Sequence, residues 1–473
     1  MSEHESTRHD ASPEVAIAAV REHQGPLLID LDETLYMRNS TEDFIDSARP
    51  RLLGLLLMRL LDAIKPWRWT GGEVTRDTWR ARLVATCFPW TLRHWTTRVP
   101  ALASAFVNHP LMAELSQPGA DPIITTAGFR PIVEPLIAAL GLPNVQIVAA
   151  RLTHFIDRRG GKLQLATAAL GLDTIQRALV LTDSTQDLPI LEVCARPLRT
   201  LWPGARYRPA FSSVYLPGQY LVYVKRPGTR YIVRAILQDD FALWVLSSIA
   251  LAPVLVTHVL GLFILLVSFW AIYEQGYVDN DWVAERFEEE PKLTAQYADS
   301  LVATPRWQPW IWAIALGIVA VFVLRWPSAP TAPSFAAWAA VLLGTHLWFR
   351  SYNRLDKPTR VWMFAGLQFA RSAAFVVLVP IVPIGAVAIG AHVLAKWVPY
   401  FLYRLSGQDW PEAPFHLIRL MFFLILAVLL GVASGFDSLA SVSTVLLLAW
   451  NLFRARKELI LMLSATHRLR SRR

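Results

Sequence analysis

The sequence is poor in cysteine: Cys87 and Cys194 are the only two in 473 residues. Two thiols make no disulfide framework and their spacing fits no zinc site, so both are expected to be buried thiols in a reducing compartment. Charge is scarce as well. Lys, Arg, Asp and Glu make up 18% of the chain against 54% apolar residues, a balance rarely met in a soluble chain of this length. The net charge of +9 is not laid out as a groove with interleaved aromatics, which argues against nucleic acid and for anionic lipid headgroups as partner. The first residues, with Glu3, His4, Glu5 and Asp10, hold no apolar signal-peptide core, so the first half is expected to stay in the cytoplasm.

The apolar excess is uneven. Residues up to about 235 carry most of the charge, and the long apolar runs follow. The fold expected is an α/β Rossmann-like three-layer domain with a helical cap, followed by an all-α polytopic membrane domain. A polar leader over 1–24 is read as loose or as one short helix. The α/β domain spans 25–205 with its cap at about 38–115, and a basic linker covers 206–238. About eight membrane helices fill 239–455, and a basic tail closes the chain at 456–473.

In the first half, Pro26-Leu27-Leu28-Ile29 reads as a buried strand ending on Asp30-Leu31-Asp32-Glu33-Thr34. Alternate residues of an extended chain point the same way, so Asp30 and Asp32 flank one spot. Carboxylates so close need a shared proton or a cation. Three later segments supply companions. Asp121 to Phe129 is a strand ending in Thr125, Thr126 and a glycine turn, offering hydroxyls to a phosphoryl oxygen. Lys162, after Gly160-Gly161, is a point charge for phosphate. Ala178 to Asp187 is a strand closing on Asp183 and Asp187, oxygen ligands suited to Mg²⁺.

This ordered set, from Asp30 to Asp187, resembles the haloacid dehalogenase superfamily of phosphohydrolases. The resemblance implies Asp30 as nucleophile forming an aspartyl-phosphate, and Asp32 as general acid and then base. It implies Thr126, or its neighbour Thr125, on the transferred phosphoryl group with Lys162 stabilising its charge. Mg²⁺ would be held by Asp30, Asp32, Asp183 and Asp187, the last as a direct ligand or one step removed. Glu33 stands where the superfamily more often has glycine. The tryptophan-rich insert after the first motif lies where the superfamily places a cap that selects the substrate. Within it, the run 52–61 with Lys65, Trp67, Arg68 and Trp69 beside it fits either cap packing or a membrane interface.

In the second half, apolar runs recur at about 241–273, 309–325, 335–349, 361–380, 384–403, 416–434 and 439–453. Basic residues collect in alternate connections and in the tail, which places the N-terminal domain and the tail on the cytoplasmic side of an inner membrane. An even number of spans follows if 241–273 folds as a hairpin near Pro253, giving eight, with seven or nine as alternatives. After Asn280, the residues Asp281, Glu285 and either Glu288 or Glu289 stack carboxylates on one face if helical. This stretch resembles the first acidic motif of UbiA-type membrane prenyltransferases, with Ala284 in place of an aspartate and Pro291 one residue early. A second segment, with Tyr352, Asn353 and Asp356, is similar to that family's tyrosine-and-basic motif.

The two resemblances together imply a bifunctional membrane enzyme. Its N-terminal domain would hydrolyse a phosphomonoester with Mg²⁺, and its membrane domain would transfer a prenyl or phosphoribosyl group involving a polyprenyl lipid. The substrate would be a phosphorylated small or lipid-linked molecule. The alternative keeps the phosphatase on a membrane domain serving only as lipid-binding anchor or scaffold; a transporter with a phosphatase-like regulatory domain is a third reading.

Overall fold

The computed structural model describes residues 8–118, 120–299, 305–326, 328–407 and 413–471. Glu3, His4, Glu5, Arg472 and Arg473 lie outside the described residues. The chain divides into two compact units, Met1–Val214 and Tyr215–Arg473.

The first unit begins with α1 (Pro13–Glu22), the short helix among the two readings of the leader. Ser12 caps it by accepting from Val15 N, Pro13 opens it, and Glu14 and Arg21 lie at the ends that the helix dipole favours. β1 (Leu27–Ile29) follows. Five helices then intervene: α2 (Ser40–Asp46), α3 (Arg51–Ile64), α4 (Arg76–Cys87), α5 (Thr91–Phe106) and α6 (His109–Leu115). The sheet resumes with β2 (Pro122–Phe129), α7 (Arg130–Ala139) and β3 (Gln146–Ala150). After α8 (Phe155–Arg159), α9 (Gly161–Leu170) and α10 (Leu172–Arg177) come β4 (Leu179–Thr182), α11 (Leu188–Leu191) and β5 (Arg196–Arg199).

All pairings are parallel and the order is β3-β2-β1-β4-β5. β1 is central and buried throughout, as its continuous apolar run demands. Its C-terminal end therefore opens between those of β2 and β4. β5 is a strand the sequence reading did not identify: Arg-Pro-Leu-Arg lacks an apolar run, yet it pairs with β4 at the sheet edge, where proline is tolerated. The expectation of two buried thiols is corrected too. Cys87 is exposed as the last residue of α4, and Cys194 is half-buried.

In α3 one stripe is buried (Gly54, Leu55, Met58, Leu61), whereas Leu53, Leu56, Leu60 and Ile64 are exposed. Packing thus accounts for only one face of this apolar helix.

The second unit is helical. A segment of wide π-type turns, Ile232–Phe241, continues into α12 (Ala242–Ser248). The chain turns extended at Ala252 and Val254, on either side of Pro253, because a residue before proline avoids the helical region. α13 (Leu255–Phe287) then runs unbroken for 33 residues, about 50 Å, longer than a bilayer core of roughly 30 Å. α14 (Ala295–Asp299), α15 (Gln308–Leu324), α16 (Ala332–Arg354) and α17 (Val361–Ala373) follow. α18 (Pro383–Ser406), α19 (Phe415–Ser434) and α20 (Val442–Ser471) complete the unit. Among the described residues, α13, α16, α18 and α19 are long and apolar enough to cross a membrane; α15 and Val361–Val377 are apolar but shorter. Ile311, Ile314, Phe322, Val428 and Leu429 stand exposed on α15 and α19, a surface that lipid rather than water would cover. Inside, Trp244 stacks on Phe375 with ring centroids 5.0 Å apart.

Candidate active site

The sheet register places the chemistry. Ile29 of β1 is level with Ile124 of β2 and Leu181 of β4, so Asp30, Thr125 and Thr182 are the next residues across three strand ends. Asp30 N donates to Leu181 O at 2.9 Å, and Asp30 Oδ1 accepts from Leu31 N at 2.8 Å. Asp30 Oδ2 lies 2.9 Å from Lys162 Nζ and accepts from Thr182 Oγ1 at 3.0 Å. The nucleophile candidate is thus held in one orientation, and 7% of it is exposed.

Asp32 is held from a different direction. Its Oδ1 accepts from Ser40 N at 2.7 Å and its Oδ2 from Ser40 Oγ at 3.1 Å. Ser40 is available because Asn39, one residue earlier, caps α2 through Glu42 N. The chain between the two aspartates and α2 makes a tight turn in which Glu33 has φ of 57°. That left-handed conformation disfavours side chains with a Cβ, which gives a physical reason for glycine at this point in the superfamily.

Thr126 is buried, and its Oγ1 accepts from Gly128 N at 3.0 Å. Gly128 has no room for a side chain: a Cβ there would meet Val133 Cγ1 at 2.7 Å and Thr126 Oγ1 at 3.2 Å, with Ser40 Oγ at 3.5 Å. The glycine therefore lets Thr126 and the Asp32-holding Ser40 approach. Thr125 Oγ1 is buried without a hydrogen-bond partner, so it too can serve a bound oxygen. Lys162, near the start of α9, is buried between Asp30 and Asp187, with Nζ 2.5 Å from Asp187 Oδ2. Thr182 Oγ1 also lies 2.5 Å from Asp187 Oδ2.

Asp183 differs from its neighbours. It is partly buried, and among the described residues its side chain accepts one hydrogen bond, a long one from Thr34 Oγ1 at 3.5 Å. Its peptide oxygen accepts from Arg199 Nε at 3.1 Å. Burial, then the charges of Asp30 and Glu33, push its carboxyl up to about 8. Burial chiefly raises Asp30, opposed by Lys162 and reinforced by Asp187. Asp32 is pushed up to about 7, mainly by burial, against the hydrogen bonds from Ser40. Burial works against the Lys162 ammonium, yet Asp187 and Asp30 raise it.

These energies identify where a cation fits. Asp30 raises the protonation of Asp183, and among the described residues no ion pair engages Asp183, so a divalent ion there would relieve it. The four-carboxylate metal set expected from the sequence is narrower in the structure. Asp32 is turned to Ser40 and Asp187 to Lys162 and Thr182, and no group of three or more His, Cys, Asp or Glu capable of holding a metal occurs among the described residues. Mg²⁺ commonly takes one or two carboxylates and keeps waters, so Asp30 and Asp183 fit it. Sequence reasoning missed Ser40, Thr34, Thr182 and Arg199. Only Thr182, beside Asp183 at a strand end, carried a local signal.

In the helical unit, Asn280, Asp281, Glu288 and Tyr352 line one cavity of about 540 Å³. Its carboxylates are already matched: Asp281 by Lys225 at 2.5 Å and Tyr220 OH at 2.8 Å, Glu288 by Lys357 at 3.1 Å and Arg360 at 3.3 Å. The expected face forms only in part: Asp281 and Glu285, four residues apart, both lie in α13, but Glu288 and Glu289 fall beyond its end at Phe287. Glu285 accepts from Tyr297 OH at 3.0 Å, and Glu289 is exposed. Tyr352 OH meets Tyr400 OH at 2.9 Å. Asn353 ties helices together, its Nδ2 donating to Gly276 O at 2.9 Å. Asp356 is exposed and accepts from Thr359 N.

A family model for haloacid dehalogenase-like hydrolase matches residues 27–192. No curated protein and no solved structure matches the chain. The match spans the whole strand-end cluster from Asp30 to Asp187 and supports a hydrolase of the phosphatase type.

Proposed function

We propose that the first unit is an Mg²⁺-dependent phosphomonoesterase. The observation that carries this reading is the split between two carboxyls on one strand end. Asp30 is fixed by Lys162, Thr182 and Leu31 N, whereas Asp32, two residues on, is held by Ser40 and poised near neutrality. Two neighbouring acids with different surroundings can take different roles. Asp30 attacks phosphorus and the P–O bond to the leaving group breaks, giving an aspartyl-phosphate; Asp32 gives its proton to the departing oxygen. Asp32 then takes a proton from water, which attacks the same phosphorus and frees Asp30 and phosphate. Lys162 and the hydroxyls of Thr126 or Thr125 balance charge on the equatorial oxygens. Asp30 and Asp183 would hold Mg²⁺, which would neutralise the phosphate's negative charge.

For the helical unit we propose, as a second reading, transfer of a prenyl or phosphoribosyl group involving a polyprenyl lipid. It rests on Asn280, Asp281, Glu288 and Tyr352 lining one cavity. The ion pairs that occupy Asp281 and Glu288 favour instead a membrane anchor with no metal of its own. One set of purified proteins separates these readings. With Mg²⁺ and a panel of soluble and lipid-linked phosphomonoesters, Asp30→Asn abolishes phosphate release while its melting temperature is kept; unchanged turnover removes the nucleophile. Asp281→Asn leaves phosphate release intact and lowers lipid transfer if the cavity is catalytic; wild type without any transfer leaves the anchor.

A further inference from the structure

The helical unit buries more positive than negative charge at one place. Asp239 and Asp240 adjoin on the π-type segment, 4% and 0% exposed. Asp239 Oδ1 accepts from Arg419 Nη1 at 2.9 Å and Arg454 Nε at 3.1 Å. Asp240 Oδ2 accepts from Arg371 Nε at 2.5 Å, and its Oδ1 lies 3.6 Å from Lys396 Nζ. Four helices, α17 to α20, thus bring four cations to two carboxylates. Lys396 Nζ and Arg419 Nη2 are buried without a hydrogen bond among the described residues. Buried cations in excess of their counter-charges are costly, so the cluster is short of negative charge.

The shortfall borders open space. A cavity of about 820 Å³ is lined by Arg371, Lys396 and Arg454, with Arg226 and Arg234 on its exposed side. Glu458, also on the lining, is engaged by the N–H groups of His416 and Leu417 at the start of α19. Gln368, 4% exposed and on the same lining, has an amide oxygen without a hydrogen-bond partner among the described residues. Tyr231, Tyr277, Phe364 and Phe415 add aromatic surface to a lining that also holds Arg456 and Lys457.

We propose that this cavity binds a phosphate-monoester oxyanion directly through Lys396, Arg226 and Arg234, without a metal; the donors of Arg371 and Arg454 are engaged within the protein. A phosphomonoester carries close to two negative charges at neutral pH, of the sign that the cluster is short of. Arginine forks suit its oxygens. The ester is either the headgroup of an amphiphile, whose chain the aromatic surface would meet, or a free phosphate. This site is separate from the Asp30 cluster and does not depend on its chemistry.

The test uses the full-length Asp30→Asn protein in a neutral maltoside detergent with EDTA, so that neither hydrolysis nor metal intervenes. Calorimetric titration with dodecyl phosphate and with inorganic phosphate reads the site. Saturable binding is expected, weakened at least tenfold by Lys396→Gln and several-fold by Arg226→Gln, whose exposed position spares the fold. Tighter binding of dodecyl phosphate than of phosphate assigns the headgroup source; equal binding assigns the free anion. Absence of binding, binding only with Mg²⁺, or equal affinity in wild-type and both variant cavities overturns the proposal. Melting curves identify any variant that has not folded, in which case Arg226→Gln decides.

Discussion

At the scale of single residues, the site is governed by which carboxyls keep their protons. Asp32 is held up to about 7 and Asp183 up to about 8, from a usual value of 3.8, in both cases mainly by burial. Between those values the folded unit binds protons that the unfolded chain has released. The stability they contribute is complete below about 4 and is lost as pH rises through 7 to 8. In EDTA, urea unfolding followed by tryptophan fluorescence should therefore give a midpoint that falls from pH 5.5 to 8.5. Asp183→Asn flattens that slope, and saturating Mg²⁺ flattens it in the wild type, because either removes the unmatched charge. A slope unaltered by the substitution would assign the pH response to other groups. Much of this site was legible in the chain: Asp30, Asp32, Thr126, Lys162, Asp183 and Asp187 announce themselves by type and by their place at apolar strand ends. Thr182 shared that place at a strand end, but Ser40 carried no such signal, since hydroxyls are common and only the Asn39 cap turns it onto Asp32.

At the scale of elements, α3 tests how far an apolar sequence predicts burial. Leu55 and Leu61 are each 5% exposed, whereas Leu53 and Leu60 are 53% and 57% exposed. Truncating Leu55 or Leu61 to alanine should cost about 2–5 kcal/mol, and Leu53→Ser or Leu60→Ser only within about 0.5 kcal/mol, measured by urea unfolding. A Cβ at Gly54 would meet Phe211 Cζ at 2.5 Å, so Gly54→Ala belongs with the destabilising group. A similar loss for all four leucines would mean that the outer face is covered. Periodicity marks a helix here and does not say how many of its sides are packed. The opposite failure occurs at β5, whose arginines hide a strand that only the free edge of β4 makes possible.

At the scale of the whole molecule, four helices suited by length and composition to a membrane follow a parallel α/β unit. The protein should sediment with membranes, resist extraction by alkaline carbonate and be released by detergent; release by carbonate would contradict spanning. Runs of about 20 apolar residues make that reading possible from sequence. The acidic stretch after the first run was less transparent. Its carboxylates resembled free ligands because Lys225, Lys357 and Arg360 are remote in sequence from the residues they neutralise.

The order of strands and helices, the carboxylates at strand ends and the apolar runs were determined by the chain alone, because each is a local pattern of side-chain type and period. Charge matching was decided by tertiary structure. Arg371 meets Asp240 across 131 residues and Arg419 meets Asp239 across 180. Coulombic attraction depends on separation in space and on burial, neither of which is written in the spacing of residues along the chain.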